Sequence, residues 1–129
     1  MLSLVEDFIS NAQNLQVVDF NGNSMSSDQT GSLLETLYDS PTVLNFTEVY
    51  MSQADFTEGP TSVQLITLIE HATNMGKLDI SDQVGTRKIT VEYTPATGVD
   101  GSIVVKDQDS GVVIWNKLTK RTTPLEIIQ

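Results

Sequence analysis

The apolar period of this chain changes along its length, and that change restricts the folds open to it. Between residues 62 and 75, Leu65, Leu68, Ile69, Ala72 and Met75 recur at helical spacing, with Ile66 widening the stripe. From Lys88 to Tyr93 the period is two, with Ile89, Val91 and Tyr93 on one face. Two more short apolar runs follow, 102–106 and 112–118, separated by the turn residues Asp107–Gly111. A strong helix followed by an antiparallel meander describes an α+β domain, and 129 residues is the usual length for one. The expected architecture is about three helices packed on a mainly antiparallel sheet, with a C-terminal three-stranded meander. Ile103, Val105, Val113 and Trp115 form its expected inner face.

The first half is read the same way. Residues 2–14 carry Val5, Phe8, Ile9 and Ala12 on one stripe, and Ser3 with Glu6 has capping-box spacing. Leu15–Phe20 reads as a strand ended by Asn21-Gly22. Residues 21–31 are small or polar and read as a mobile loop. A short helix follows, with Leu33, Leu34, Leu37 and Tyr38 together and a second capping-box pair in Ser32 and Glu35. Ser40-Pro41 stops it. Residues 42–52 favour strand by β-branched and aromatic content, and Glu58-Gly59-Pro60 breaks the chain. Thr61 or Ser62 caps the strong helix, and Gly76 sits where a left-handed C-cap belongs. No internal repeat and no linker are evident, so residues 1–129 read as one domain, with the abrupt end at Gln129 allowing for a longer chain.

Charge is divided unevenly. Residues 1–76 hold ten acids and no Lys or Arg, while the last 53 residues hold seven of each sign. The first part therefore carries −10 and the second zero. Nonspecific wrapping of duplex DNA by the whole protein is not expected, because phosphate binding needs clustered cations. The densest basic group, Lys117, Lys120 and Arg121 beside Trp115, is the candidate nucleic-acid contact, the aromatic supplying a stacking surface. The alternative is a solvated strand end.

Other chemistry is excluded residue by residue. Zero Cys removes disulfides, thiolate metal sites and thiol nucleophiles. One His removes two-histidine mechanisms within a chain. No apolar run is long enough to span a bilayer, and a start that is acidic by Glu6 is not a secretory signal. The reading is of a soluble intracellular protein. Asp107-Gln-Asp109-Ser-Gly111 opens like a calcium loop, but its sixth and twelfth positions are Val112 and Leu118, so it reads as an Asx turn. Asp19, Asn21 and Asn23 fail the same test at Ser24 and Thr30. No phosphate-binding glycine loop or nucleophile elbow is present. No catalytic, cofactor or metal residue is assigned.

The natural-looking Met1 start, the small acidic α+β make-up, the lack of catalytic signatures and the abrupt apolar end Pro124-Leu-Glu-Ile-Ile-Gln129 together resemble the packaging accessory proteins of cystoviruses, the enveloped double-stranded RNA phages. The resemblance covers the whole chain, rests on no motif and transfers no site. It implies a homodimer without catalysis, placed in a viral polymerase complex with polymerase and shell proteins, inside the virion or in the host cytoplasm. It would assist capsid assembly, RNA packaging and regulation of RNA synthesis. The competing reading is a small-ligand domain or weak enzyme, with a cone-shaped pocket lined by His71, Tyr50, Tyr93 and Asp residues.

Overall fold

A computed structural model describes residues 2–129. In chain order the elements are α1 (Leu2–Asn11), β1 (Val17–Asp19), α2 (Ser27–Tyr38), β2 (Glu48–Tyr50), α3 (Gly59–His71), β3 (Lys77–Asp79), β4 (Ile89–Thr94), β5 (Gly101–Asp107), β6 (Val113–Thr119) and β7 (Glu126–Ile128), with a 3₁₀ turn at Val43–Asn45. The α+β class, the three helices and the C-terminal meander agree with expectation. The main sheet does not. Its order is β1-β2-β3-β7 and every pairing is parallel, while β4-β5-β6 forms a separate antiparallel sheet.

The parallel sheet exposes a repeat that the amino-acid letters conceal. Val17, Glu48, Lys77 and Glu126 align across it, as do Val18, Val49, Leu78 and Ile127. Successive strands are thus 31, 29 and 49 residues apart. Each of the first three follows a helix, so α1–β1, α2–β2 and α3–β3 are equivalent units. The inward apolar positions repeat as Leu15, Val18, Phe20, then Phe46, Val49, Met51, then Met75, Leu78, Ile80. The backbone repeats too: Gly22, Gln53 and Asp82 occupy the same place after their strands, with φ of 84°, 65° and 52°. Left-handed Gln is uncommon, yet three different residues make the same turn. Strand-like bonding also runs on past the strands, as in Phe20 N–H to Tyr50 O at 2.8 Å and Gln53 N–H to Ser81 O at 3.0 Å. In the fourth unit the meander stands where a helix would be, which lengthens the last interval to 49 residues.

One core joins these parts. Leu33, Leu34 and Leu37 of α2 and Leu65, Ile66, Leu68 and Ile69 of α3 are buried with Val18, Val49 and Leu78, and with Ile89, Val91, Ile103 and Val105 of the meander. Burying each such side chain favours folding by about 1.5–3 kcal/mol. The outer edge of β4 is closed by two glutamine side chains. Gln83 receives the N–H of Ile89 at 2.8 Å and donates to its carbonyl at 2.9 Å, and Gln129 does the same for Val91 at 2.9 and 3.0 Å. A carboxamide presents the same donor and acceptor as a peptide group, so each replaces one residue of a neighbouring strand.

Several local expectations are corrected. Ser3 lies inside α1, and Glu6 instead accepts hydrogen bonds from Ser32 at 2.6 Å and Thr36 at 3.3 Å on α2. The 21–31 segment is not all loop: α2 starts at Ser27, capped by Ser26 in a capping box with Gln29. Thr30 and Gly31 are buried by it. Pro60 begins α3 rather than ending anything, a position its fixed φ suits, and neither Thr61 nor Ser62 is the cap. The helix ends at His71, and Ala72 donates to Leu68 O at 2.8 Å. Gly76 instead opens β3, its N–H donating to Thr47 O at 2.8 Å. In β6 a bulge opposite Val105 and Lys106 moves Ile114 toward the core and leaves Val113 and Trp115 46% and 47% exposed.

Candidate functional site: the open face of the parallel sheet

Strands of three residues present one inward and two outward side chains each. Parallel pairing in common register therefore stacks the outward ones in two rows. The first is Val17, Glu48, Lys77 and Glu126, and the second is Asp19, Tyr50, Asp79 and Ile128. Val17, Asp19 and Glu126 are exposed, Glu48, Tyr50, Lys77 and Ile128 are half-buried, and Asp79 alone is buried. Three solvent-accessible carboxylates, Asp19, Glu48 and Glu126, face one Lys above the buried Asp79, so the surface is acidic.

The groups are held in place. Lys77 Nζ lies 3.9 Å from a carboxylate oxygen of both Glu48 and Glu126, its neighbours in the row. Tyr50 donates its hydroxyl to Glu48. That bond, with the carboxylate charge beside it, pushes the Tyr50 pKa up to about 12. Below the rows, the Asn21 side chain bridges units: it accepts Ser52 N–H at 2.9 Å and donates to Asp79 at 3.3 Å. Asp79 also receives the N–H and hydroxyl of Ser81 at 2.9 and 2.6 Å. Asn21, Ser52 and Ser81 occupy the same repeat position, which sequence reading missed because it treats Asn21-Gly22 only as a turn.

Lys117, Lys120 and Arg121 do not form a free basic patch. Lys117 pairs with Glu70 of α3 at 2.6 Å, and Lys120 with Asp100 at 2.6 Å. Arg121 is 5% exposed. Its guanidinium lies 5.1 Å over the Tyr93 ring and donates to the carbonyls of Ala72 and Met75, just beyond α3. Burial lowers its pKa below the usual guanidinium range. Trp115 is half-exposed on the edge strand β6, on the same face as Lys117.

The residues proposed to line a cone-shaped pocket are not brought together. His71 bonds Thr67 O through Nδ1 at 2.8 Å and lies 5.7 Å from the Tyr38 ring. Tyr93 donates to the carbonyls of Arg121 and Thr123 at 3.2 and 2.7 Å, and Tyr50 stands on the sheet face. The Asp107 turn is an Asx turn as read: Asp107 accepts the N–H groups of Asp109 and Ser110 at 3.0 Å each, which lowers its pKa. Among the described residues no His, Asp or Glu cluster suits a metal ion, and no helix is long and apolar enough to cross a membrane. No protein-family model, curated protein or solved structure matches the chain.

Proposed function

We propose that this protein is a non-enzymatic interaction module whose open sheet face receives a basic segment of a partner protein. The observation that carries the reading is the pair of register-aligned outward rows, with three accessible carboxylates to one Lys. Coiled repeat proteins bind partners on extended surfaces of this kind, because stacked units repeat the same outward positions at the strand spacing. The apolar-x-x-apolar-x-apolar spacing at Leu15, Phe46 and Met75 is that of leucine-rich repeats, and Leu15–Met25 extends it with Asn23 and Met25 in the pattern's later places. We therefore read the three units as divergent repeats of that type. Glu48 and Glu126 share a single Lys at 3.9 Å, and Asp19 is exposed beside them, so the face keeps a net negative charge for a basic partner.

The test is titration of a labelled Lys/Arg-rich peptide against the protein and its Glu48→Gln, Glu126→Gln variant. The expected result is salt-sensitive binding that weakens about tenfold in the variant, the scale of one or two lost charge contacts. Equal binding by both proteins would reject the face.

The narrower assembly reading, a homodimeric accessory of a viral polymerase complex aiding RNA packaging, is a proposal supported by the overall make-up of the chain. Sedimentation at twice 14.1 kDa is its expected result, and a monomer counts against it. Direct RNA contact through Lys117, Lys120 and Arg121 is left out, because two are ion-paired and the third is buried.

A further inference from the structure

The two ends of the coil differ. At the C-terminal end the meander acts as a cap. Ile89, Val91, Ile103 and Val105 are buried, while the opposite face presents Thr90, Glu92, Thr94, Lys106 and Asn116, with Leu118 68% exposed among them. Repeat coils need an end layer that covers the core in this way. The N-terminal end has no counterpart among the described residues. β1 is an edge strand. α1 places Ile9 in the core but turns Leu4 and Phe8, one turn apart, outward at 69% and 65% exposure. Beside it a cleft of about 450 Å³ is lined by the half-buried Val5 and Phe20 and the buried Met25, between Asp19 and Gln29. Apolar residues of an end unit are thus left facing water.

We propose that this end, α1 with the cleft at β1, docks an amphipathic basic helix of a different protein, its apolar side on Leu4 and Phe8 and its Lys or Arg residues toward Asp7 and Asp19. Charge decides against a second copy. Residues 1–76 contain no Lys or Arg, so two N-terminal ends brought together would oppose acid to acid. A head-to-tail copy fares no better. At the other end Lys106, Lys117 and Lys120 are paired with Glu92, Glu70 and Asp100, Arg121 is buried, and Lys88 alone is exposed outside an ion pair among the described residues. One such Lys is too little to balance an end made only of acids, so the positive charge is assigned to another chain. This surface is separate from the proposed sheet face, sharing only Asp19 at its border.

The probe is a labelled Leu/Lys amphipathic peptide, compared with a Leu/Glu peptide of the same apolar face. Binding is read by anisotropy and mapped by hydrogen exchange. The Leu/Lys peptide alone is expected to bind, to protect α1 and β1, and to bind about tenfold or more weakly to the Leu4→Ser, Phe8→Ser variant. Protection of α1 and β1 is expected to persist in the Glu48→Gln, Glu126→Gln protein, whose sheet face is disabled, so the two proposed surfaces fail or stand separately. Equal affinity for both peptides, protection confined to other elements, or unchanged binding by a folded Leu4→Ser, Phe8→Ser variant would overturn the proposal. So would a concentration-dependent dimer of the free protein that the same variant abolishes. Should that variant unfold, the exchange map on the wild-type protein decides alone.

Discussion

At the scale of single residues, position in the fold decides what a side chain does more than its type. Tyr50 and Tyr93 both donate hydroxyls, but Tyr50 donates to a carboxylate and Tyr93 to carbonyls. A phenol whose folded pKa is raised from 10 to about 12 contributes stability that is fully present below pH 10. That contribution is lost as pH rises through about 12. Ultraviolet titration of tyrosinate should therefore show a late phase near pH 12 that Tyr50→Phe removes. A titration of all three tyrosines near pH 10 would contradict the Glu48 bond. The basic residues separate as sharply. Arg121→Ala removes donors to two carbonyls and opens space beneath Tyr93, so a loss of about 2–4 kcal/mol is expected in urea unfolding. Lys117→Ala breaks one partly exposed pair and should cost about 1 kcal/mol or less. Equal losses would mean that Arg121 is not the anchor drawn here.

At the scale of elements, the helix starts show why spacing misleads. Ser3 with Glu6, Ser32 with Glu35 and Ser26 with Gln29 all have capping-box spacing, and only the last is a cap. The other two serines lie within helices, and Ser32 and Glu6 meet each other across α1 and α2 instead. Ser26→Ala should lower stability by about 1 kcal/mol, and Ser3→Ala should fall within about 0.5 kcal/mol of wild type. Thermal or urea melts of the two variants check this, and the reverse order would refute the assignment of the cap.

For the whole molecule, a coil with one capped end is expected to open from the other. Each unit contacts its neighbours, so stability is passed along the stack. α1 packs chiefly on α2, whereas α3 is held between α2 and β6. Native-state hydrogen exchange should show α1 and β1 opening at lower free energy than α3 and β3. Uniform protection would indicate a single cooperative block.

How much of this was legible in the sequence follows from the range of each interaction. Helix periodicity in α3, alternation in β4 and the Asx turn at Asp107 depend on residues within one or two turns of each other, so the sequence alone determined them. Absence of Cys and the one-sided charge are equally its own. The parallel sheet was hidden because three-residue strands are too short to show a period, and their partners lie 31, 29 and 49 residues away. The repeat was hidden because its places are filled by Leu, Phe or Met in one row and by Gly, Gln or Asp in another, alike in size or backbone angle but not in letter. Only the tertiary structure decided which face those strands leave open. It alone put Arg121 in the interior, because desolvation and pairing depend on neighbours brought from 46 and 49 residues away.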